Sequence, residues 1–316
     1  MNFARQTENF VTVFDSHYLP QGLCLHRSLE RHGRPYHLWA VAVDDACASA
    51  LERLGLSNTT VVRLQEVENE ALRSVKSSRS VGEYCWTLTP FLPSHVFQRM
   101  PQLERVTYVD ADLFFFDHPL KLIDEFEASG KHILLTEHAF APEYADRIRY
   151  GRFCVQFMTF RNTEPGFRVL RWWQDRCIEW CYAREEAGKF GDQKYLDAWP
   201  ELFAQEVHVL GQREKMLAPW NVAQLSRSGR PVQPVFYHFH SLKIIAPRRV
   251  LLYFTYFIGR ENRWIYDEYL KALRWAAAQL REIGLPLVWQ PLPKPRFQGL
   301  RDMKNWLRGT TAWARL

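Results

Sequence analysis

Two aspartates one residue apart, Asp110-Ala111-Asp112, have the plainest chemical capacity in this chain. Carboxylates at i and i+2 on an extended backbone point to the same side, so their oxygens can share one hard divalent cation. The pattern alone is weak: with 13 aspartates among 316 residues, about half a match is expected by chance, so context decides. Here the context is the apolar run Arg105-Val106-Thr107-Tyr108-Val109, which reads as a strand covered on both faces. That puts the pair at the carboxyl end of a strand, where open α/β sheets bind ligands. A capped turn with solvated aspartates is the structural alternative. Far downstream, Tyr237-His238-Phe239-His240-Ser241-Leu242-Lys243 offers two imidazoles and an ammonium. If this stretch is a strand, His238 and His240 face one side, and spacing does not choose between them.

The elements that would position these groups alternate between strand and helix, which predicts a mostly parallel sheet with helices on both faces. Phe10 to Asp15 is a first strand ending in a carboxylate. Leu19 to His32, closed by Gly33, reads as a helix leading to a second strand at Leu38 to Val43. Asp44-Asp45 caps a helix from Ala46 to Leu54, and a strand follows at Thr60 to Leu64. After a polar stretch, Thr87 to Pro93 suggests a proline-bearing helix start. Further strands are predicted at His132 to Thr136, Cys154 to Phe160 and Val207 to Leu210. A helix from Glu164 to Ala187 carries Val169, Trp173, Cys177 and Cys181 on one face, a stripe that reads as core. An amphipathic helix at Tyr266 to Ile283 and a Pro/Arg/Trp-rich end from Pro286 mark a change of composition. The division expected is an α/β domain over 1–245 and a basic helical appendage over 246–316.

Composition narrows the class. The longest apolar run, Val250 to Gly259, is far short of the roughly 20 residues that span a bilayer and reads as a buried element. The N-terminal segment lacks a basic stretch followed by an apolar one, so nothing asks for export. Six scattered cysteines include Cys177 and Cys181 at i, i+4 with no histidine nearby to complete a zinc set. Buried reduced thiols and a cytoplasmic setting follow. Charge is uneven: Lys243 to Leu316 carries +9 of a total of +6, leaving −3 elsewhere. Such a patch is suited to peripheral contact with the anionic inner face of the cytoplasmic membrane or to a polyanion, with a basic surface that has no specific partner as the alternative. No helical or zinc motif accompanies it that would argue for nucleic acid.

With these residues in place, the chain resembles the GT-A nucleotide-diphosphosugar glycosyltransferases, and more loosely the family 8-like branch that includes bacterial lipopolysaccharide sugar transferases. Three segments in order carry the likeness: Val13-Phe14-Asp15-Ser16-His17-Tyr18, Tyr108-Val109-Asp110-Ala111-Asp112, and Tyr237 to Lys243. Between them, Phe153 to Met158 and Gly191 to Leu196 stand where the family carries its sugar-binding loop and its Asp-Gln element. The likeness spans roughly residues 10 to 245. It implies a GT-A, Rossmann-like fold and Mn²⁺ or Mg²⁺ held by Asp110, Asp112 and either His238 or His240. It also implies a nucleotide, UDP first, contacted by Asp15, Tyr18, Asp110, Gln193 and Lys243. Asp192 and Gln156 would work at the transferred hexose, and the acceptor would be a hydroxyl on a glycan or glycolipid. Glu137 and His138, at another strand end, are further sugar-pocket candidates, and Trp220-Asn221 could line the acceptor side. Asp192 has a structural alternative as a helix N-cap. Two departures stand out: Ser241-Leu242 replaces the usual glycine spacing between histidine and lysine, and Gln156 stands where asparagine is usual.

Retention of configuration is the expectation if the family 8 likeness holds, while inversion with Asp192 or Glu137 as base stays open. A nucleotidyltransferase would need a glycine-rich phosphate loop after the first strand, and Ser16-His17-Tyr18-Leu19-Pro20 is not one. A non-catalytic GT-A-fold member of a glycan-assembly complex is the alternative reading.

Overall fold

Near-continuous apolar strands need cover on both faces, and the central sheet meets that need. The structure, a computed structural model, describes residues 7–226, 232–289 and 309–316. Eight of its strands are β1 (Glu8–Phe14), β2 (Tyr36–Ala42), β3 (Thr59–Arg63), β4 (Arg105–Val109), β5 (Leu113–Phe115), β6 (Ile133–Glu137), β7 (Phe153–Arg161) and β8 (Val207–Val209). Seven of them form one sheet in the order β3-β2-β1-β4-β7-β6-β8. β1 runs parallel to β2 along its whole length and parallel to β4 on its other side. Chain order therefore reverses beside β1, and the carboxyl ends of β1 and β4 open onto one crevice, the place where such sheets hold ligands.

Alternation along β1 distributes its side chains to two cores. Phe10 packs among Leu25, Leu29 and Phe126, whereas Val11 and Val13 pack among Leu88, Val96 and Trp173. The sheet is mixed, because β7 pairs antiparallel with both β4 and β6. That pairing is invisible in an apolar run, since burial on both faces looks the same in either direction.

Local signals account for most helices. Asp44 caps Asp45–Leu54 by accepting the Cys47 N–H at 2.7 Å. In the stretch that reads only as polar, Ser80 and Glu83 form a capping box that starts the helix Val81–Leu88. The helix expected to run from Glu164 to Ala187 stops earlier, at Glu179, because Trp180 takes an extended backbone, φ −157° and ψ 124°. Cys177 and Cys181 are buried free thiols, as expected of the stripe they belong to.

The remaining strands are β9 (Met216–Leu217), β10 (Phe236–His238), β11 (Lys243–Ala246), β12 (Arg249–Phe254) and β13 (Thr311–Arg315). A small sheet, β5-β10-β9, sits beyond the end of β4, and β11, β12 and β13 form an antiparallel sheet. The division between 245 and 246 thus falls inside β11. The C-terminal part holds this sheet as well as the helix Arg263–Glu282, whose Tyr269, Leu273 and Ala276 share a core with Leu23, Cys24, Ala48 and Leu51. Of the Pro/Arg/Trp-rich end, residues 290–308 lie outside the described residues, and five of the fourteen Lys and Arg residues of the basic part lie with them. Among the described residues, no helix is long and apolar enough to cross a membrane.

Candidate active site

The chain leaves β4 at Val109, and the Asp110 N–H donates to the Gln156 carbonyl on β7 at 3.0 Å. A tight turn follows, with the Leu113 N–H bonded to the Asp110 carbonyl, and β5 then pairs antiparallel with β10 so that His238 stands opposite Leu113. This register brings the imidazole to the carboxylates. His238 Nε2 lies 3.2 Å from Asp112 Oδ1 and 3.8 Å from Asp110 Oδ2. Among the described residues, Asp110, Asp112 and His238 form the one group of three with ligand atoms all within 4.8 Å of each other. Two carboxylates and one imidazole fit a divalent cation such as Mn²⁺ or Mg²⁺.

The electrostatics agree with that capacity. Burial, with the charge of Asp112 adding to it and His238 opposing, pushes the Asp110 carboxyl up to about 6. Burial would also raise Asp112, but the charge and hydrogen bond of His238 overcome it and hold Asp112 below its ordinary value. Tyr108 supports the pair by donating its hydroxyl to Asp110 Oδ1 at 2.9 Å.

Gln156 does not line the cavity; it stands behind His238, with Oε1 2.8 Å from Nδ1. An amide oxygen only accepts, so Nδ1 carries a proton and Nε2 is the nitrogen that faces the carboxylates and would meet a cation. Such outer partners tune ligand affinity. Gln156→Leu is therefore expected to weaken Mn²⁺ binding by about 10- to 100-fold, read by calorimetry, with the melting temperature showing that the fold is kept. Unchanged affinity would count against this tautomer assignment.

His240 faces the cavity on the same side as His238, their rings 5.8 Å apart, while Tyr237 and Phe239 turn into the core. β10 ends at His238, but the Phe239 N–H still donates to the Asp112 carbonyl at 2.9 Å and the left-handed turn at Ser241, φ 67°, comes only after His240; among the described residues it is His238 that completes a three-ligand group with the two carboxylates. His240 lines the cavity from an exposed position, its ring 5.4 Å from that of Trp220. Lys243 is exposed at the start of β11 and is not part of the cavity wall.

The cavity is about 650 Å³ and takes in Asp15, Tyr18, Asp110, Asp112, His138, Asp192, Gln193, Trp220 and both late histidines. Asp15 accepts the N–H groups of His17 and Tyr18 at 3.0 and 3.1 Å, so it shapes the turn after β1 as well as lining the site. Gly191 adopts φ +54°, and a Cβ there would meet the Trp86 ring at 3.3 Å, which suits glycine alone to the turn that delivers Asp192. Asp192 makes no side-chain cap in the turn that follows it, against the capping alternative. It is buried, and burial first, then the charge of Asp110, pushes its carboxyl well above the usual range. Gln193 Nε2 donates to the Tyr150 carbonyl at 3.0 Å.

Glu137 is not in this cavity. It is ion-paired with Arg152 at 2.6 Å and with Arg213, and it borders a separate cavity of about 240 Å³. Strand alternation explains the split, since His138, one residue on, turns to the main cavity. Burial, then the charge of His238, pushes the His138 imidazole down to about 3, so it is neutral. Trp220 Nε1 donates to the His138 carbonyl at 2.6 Å, while Asn221 braces the same carbonyl and its own loop.

Val81, Cys85 and Trp86, from the capped helix, and Arg147, from the turn Pro142–Tyr150, also line the cavity. Neither group is anticipated from the sequence. The capping box Ser80-Val81-Gly82-Glu83 was a usable signal for the first. Arg147, one of 41 Lys and Arg residues, had none.

No protein-family profile matches the chain. It is 30% identical over 282 residues to the uncharacterized protein YfnD of Bacillus subtilis (strain 168), covering 85% of this chain and 90% of YfnD. It is 31% identical over 255 residues to the uncharacterized protein YfnF of the same organism, covering 76% of this chain and 83% of YfnF. Among solved structures, the galactosyltransferase LgtC in complex with donor and acceptor sugar analogs matches with a TM-score of 0.54 and 13% identity, over 84% of this chain and 95% of that one. The apo form of the glycosyltransferase GlyE of Streptococcus pneumoniae TIGR4 matches with a TM-score of 0.53 and 17% identity, over 88% of this chain and 63% of that one. The chain therefore belongs to the same protein family as YfnD and YfnF, and it carries the GT-A glycosyltransferase fold.

Proposed function

We propose that the chain is a glycosyltransferase that moves a hexose from a nucleotide-diphosphosugar, with UDP-sugars the first candidates, to a hydroxyl on a glycan or glycolipid. One observation carries this reading: Asp110, Asp112 and His238 converge at the carboxyl edge of the sheet, beside Asp192, in a cavity of about 650 Å³. That volume lies in the range of small-ligand sites. Asp110, Asp112 and His238 would hold Mn²⁺ or Mg²⁺, and the imidazole favours Mn²⁺. Bound there, the cation supplies neutralisation of the charge that develops on the departing diphosphate.

The protein's own groups do the rest. Gln156 orients His238, and Tyr108 orients Asp110. Asp192, buried within the cavity, presents a carboxyl to the hydroxyls of the transferred sugar. Its backbone is fixed by Trp173, whose Nε1 donates to the Asp192 carbonyl at 2.9 Å. The turn after β1, with Asp15 and Tyr18, would receive the nucleoside, and the aromatic rings of Trp86, Tyr150 and Phe190 would border the acceptor. We further propose family 8-like chemistry with retention, and peripheral contact of the basic C-terminal part with anionic membrane. The two carboxylates of Glu137 and Asp192 do not share one pocket, which weighs against Glu137 as the base of an inverting reaction.

Calorimetric titration with UDP, with and without Mn²⁺, tests the reading. UDP binding that requires Mn²⁺ is the expected outcome. No binding of UDP, GDP, CDP, ADP or dTDP under either condition would overturn it.

A further inference from the structure

A dianionic diphosphate in this cavity would face the carboxylates of Asp15, Asp110, Asp112 and Asp192. Charge of the opposite sign is scarce: among the described residues lining the cavity, Arg147 is the single lysine or arginine. Lys243, to which the family resemblance assigns the diphosphate, is exposed and outside the wall. We infer that Arg147 is the residue that grips the diphosphate of the nucleotide, in the role that the sequence suggests for Lys243. This inference rests on the glycosyl-transfer reading above.

The geometry prepares Arg147 for that role. Its guanidinium carbon lies 4.3 Å from the centre of the Tyr256 ring, and its Nη atoms donate to the Tyr256 hydroxyl and, at 3.2 Å, to Thr255 Oγ1. A planar guanidinium has five N–H donors, so two such bonds orient the fork and leave others for a ligand. No carboxylate among the described residues pairs with it, unlike Arg152 and Arg213, which are spent on Glu137. The platform is itself held under strain, since Thr255 adopts φ 65°, a conformation costly for a β-branched residue and found where function demands it. Tyr256 connects this platform to the cation side of the cavity, with its ring 6.0 Å from His240 and 6.3 Å from Trp220. A guanidinium on this wall can form paired charge-assisted hydrogen bonds to phosphate oxygens, which a lysine cannot match.

The experiment compares wild type, Arg147→Gln, Arg147→Lys, Tyr256→Phe and Lys243→Gln by calorimetry in Mn²⁺, using the diphosphate and monophosphate of whichever nucleoside the wild type binds. Arg147→Gln is expected to weaken the diphosphate about 10- to 100-fold while changing the monophosphate by less than about threefold. Mn²⁺ affinity without nucleotide and the melting temperature should stay near wild type. Arg147→Lys and Tyr256→Phe should lie between, and they carry the test if Arg147→Gln does not fold. Lys243→Gln should bind like wild type. Equal losses for diphosphate and monophosphate, or a diphosphate loss confined to Lys243→Gln, would overturn the assignment while leaving glycosyl transfer intact. A wild type that binds no nucleoside diphosphate would overturn the functional reading and this inference with it.

Discussion

Asp112→Ala should lower kcat/KM for sugar transfer by about 10³-fold or more, because electrostatic stabilisation of a leaving group is worth several kcal/mol and each 1.36 kcal/mol is tenfold in rate. The side chain is one of the three-residue set, with Oδ1 3.2 Å from His238 Nε2, and its loss leaves His238 and Asp110 as the remaining ligands. Two readouts accompany the rate. Mn²⁺ at about 100 times its dissociation constant should stabilise the wild type by about 2.7 kcal/mol and leave the variant's melting temperature unmoved. The metal-free variant should keep a wild-type circular dichroism spectrum, since Asp112 is partly exposed and its backbone carbonyl, which accepts the Phe239 N–H at 2.9 Å, is untouched. Stabilisation of Asp112→Ala by Mn²⁺ equal to that of the wild type would remove this residue from the cation set.

Trp173→Ala should cost about 3–5 kcal/mol, a large share of the 5–15 kcal/mol that separates folded from unfolded domains. Trp173 is fully buried, stacks on Phe160 at 6.3 Å and meets Trp199 edge-on at 5.5 Å. The variant is expected to unfold at markedly lower urea concentration. Trp173→Phe separates packing from hydrogen bonding. It keeps most of the ring volume but removes the donor to the Asp192 carbonyl, so its stability loss should be about 1–3 kcal/mol. Turnover should then fall more than nucleotide affinity, as the segment carrying Asp192 loosens. A Phe variant with wild-type stability and turnover would reduce Trp173 to simple filling of space.

The sequence by itself determined much that depends on short-range order. The buried strand before them marks Asp110 and Asp112 as a pair at its carboxyl end, although they meet through a tight turn, closed by the Leu113 N–H on the Asp110 carbonyl, and not through strand alternation. The helix stripe of Val169, Trp173 and Cys177 specifies its own buried face. Caps and proline or glycine signals bring most elements to within a few residues of their true bounds, and the resemblance in three ordered segments points to the GT-A fold that the structure has. The outer limits of elements were less legible, as at Trp180, whose extended backbone ends the helix with no glycine or proline there to mark it.

Tertiary structure decided which distant groups meet. His238 is the imidazole at the carboxylates because β10 pairs with β5 in a register that sets His238 opposite Leu113. Gln156 stands behind His238, rather than at the sugar, because β7 runs antiparallel beside β4 and turns that side chain inward. Glu137 and His138 part company across one strand, with one carboxylate neutralised outside the main cavity and one imidazole held neutral inside it. Arg147 reaches the cavity, and Lys243 does not, through the meeting of a turn near residue 147 with the segment at Thr255 and Tyr256, about a hundred residues later in the chain. Such encounters follow from pairing register and loop closure, which are properties of the whole packed chain and leave no local pattern of residue types to read.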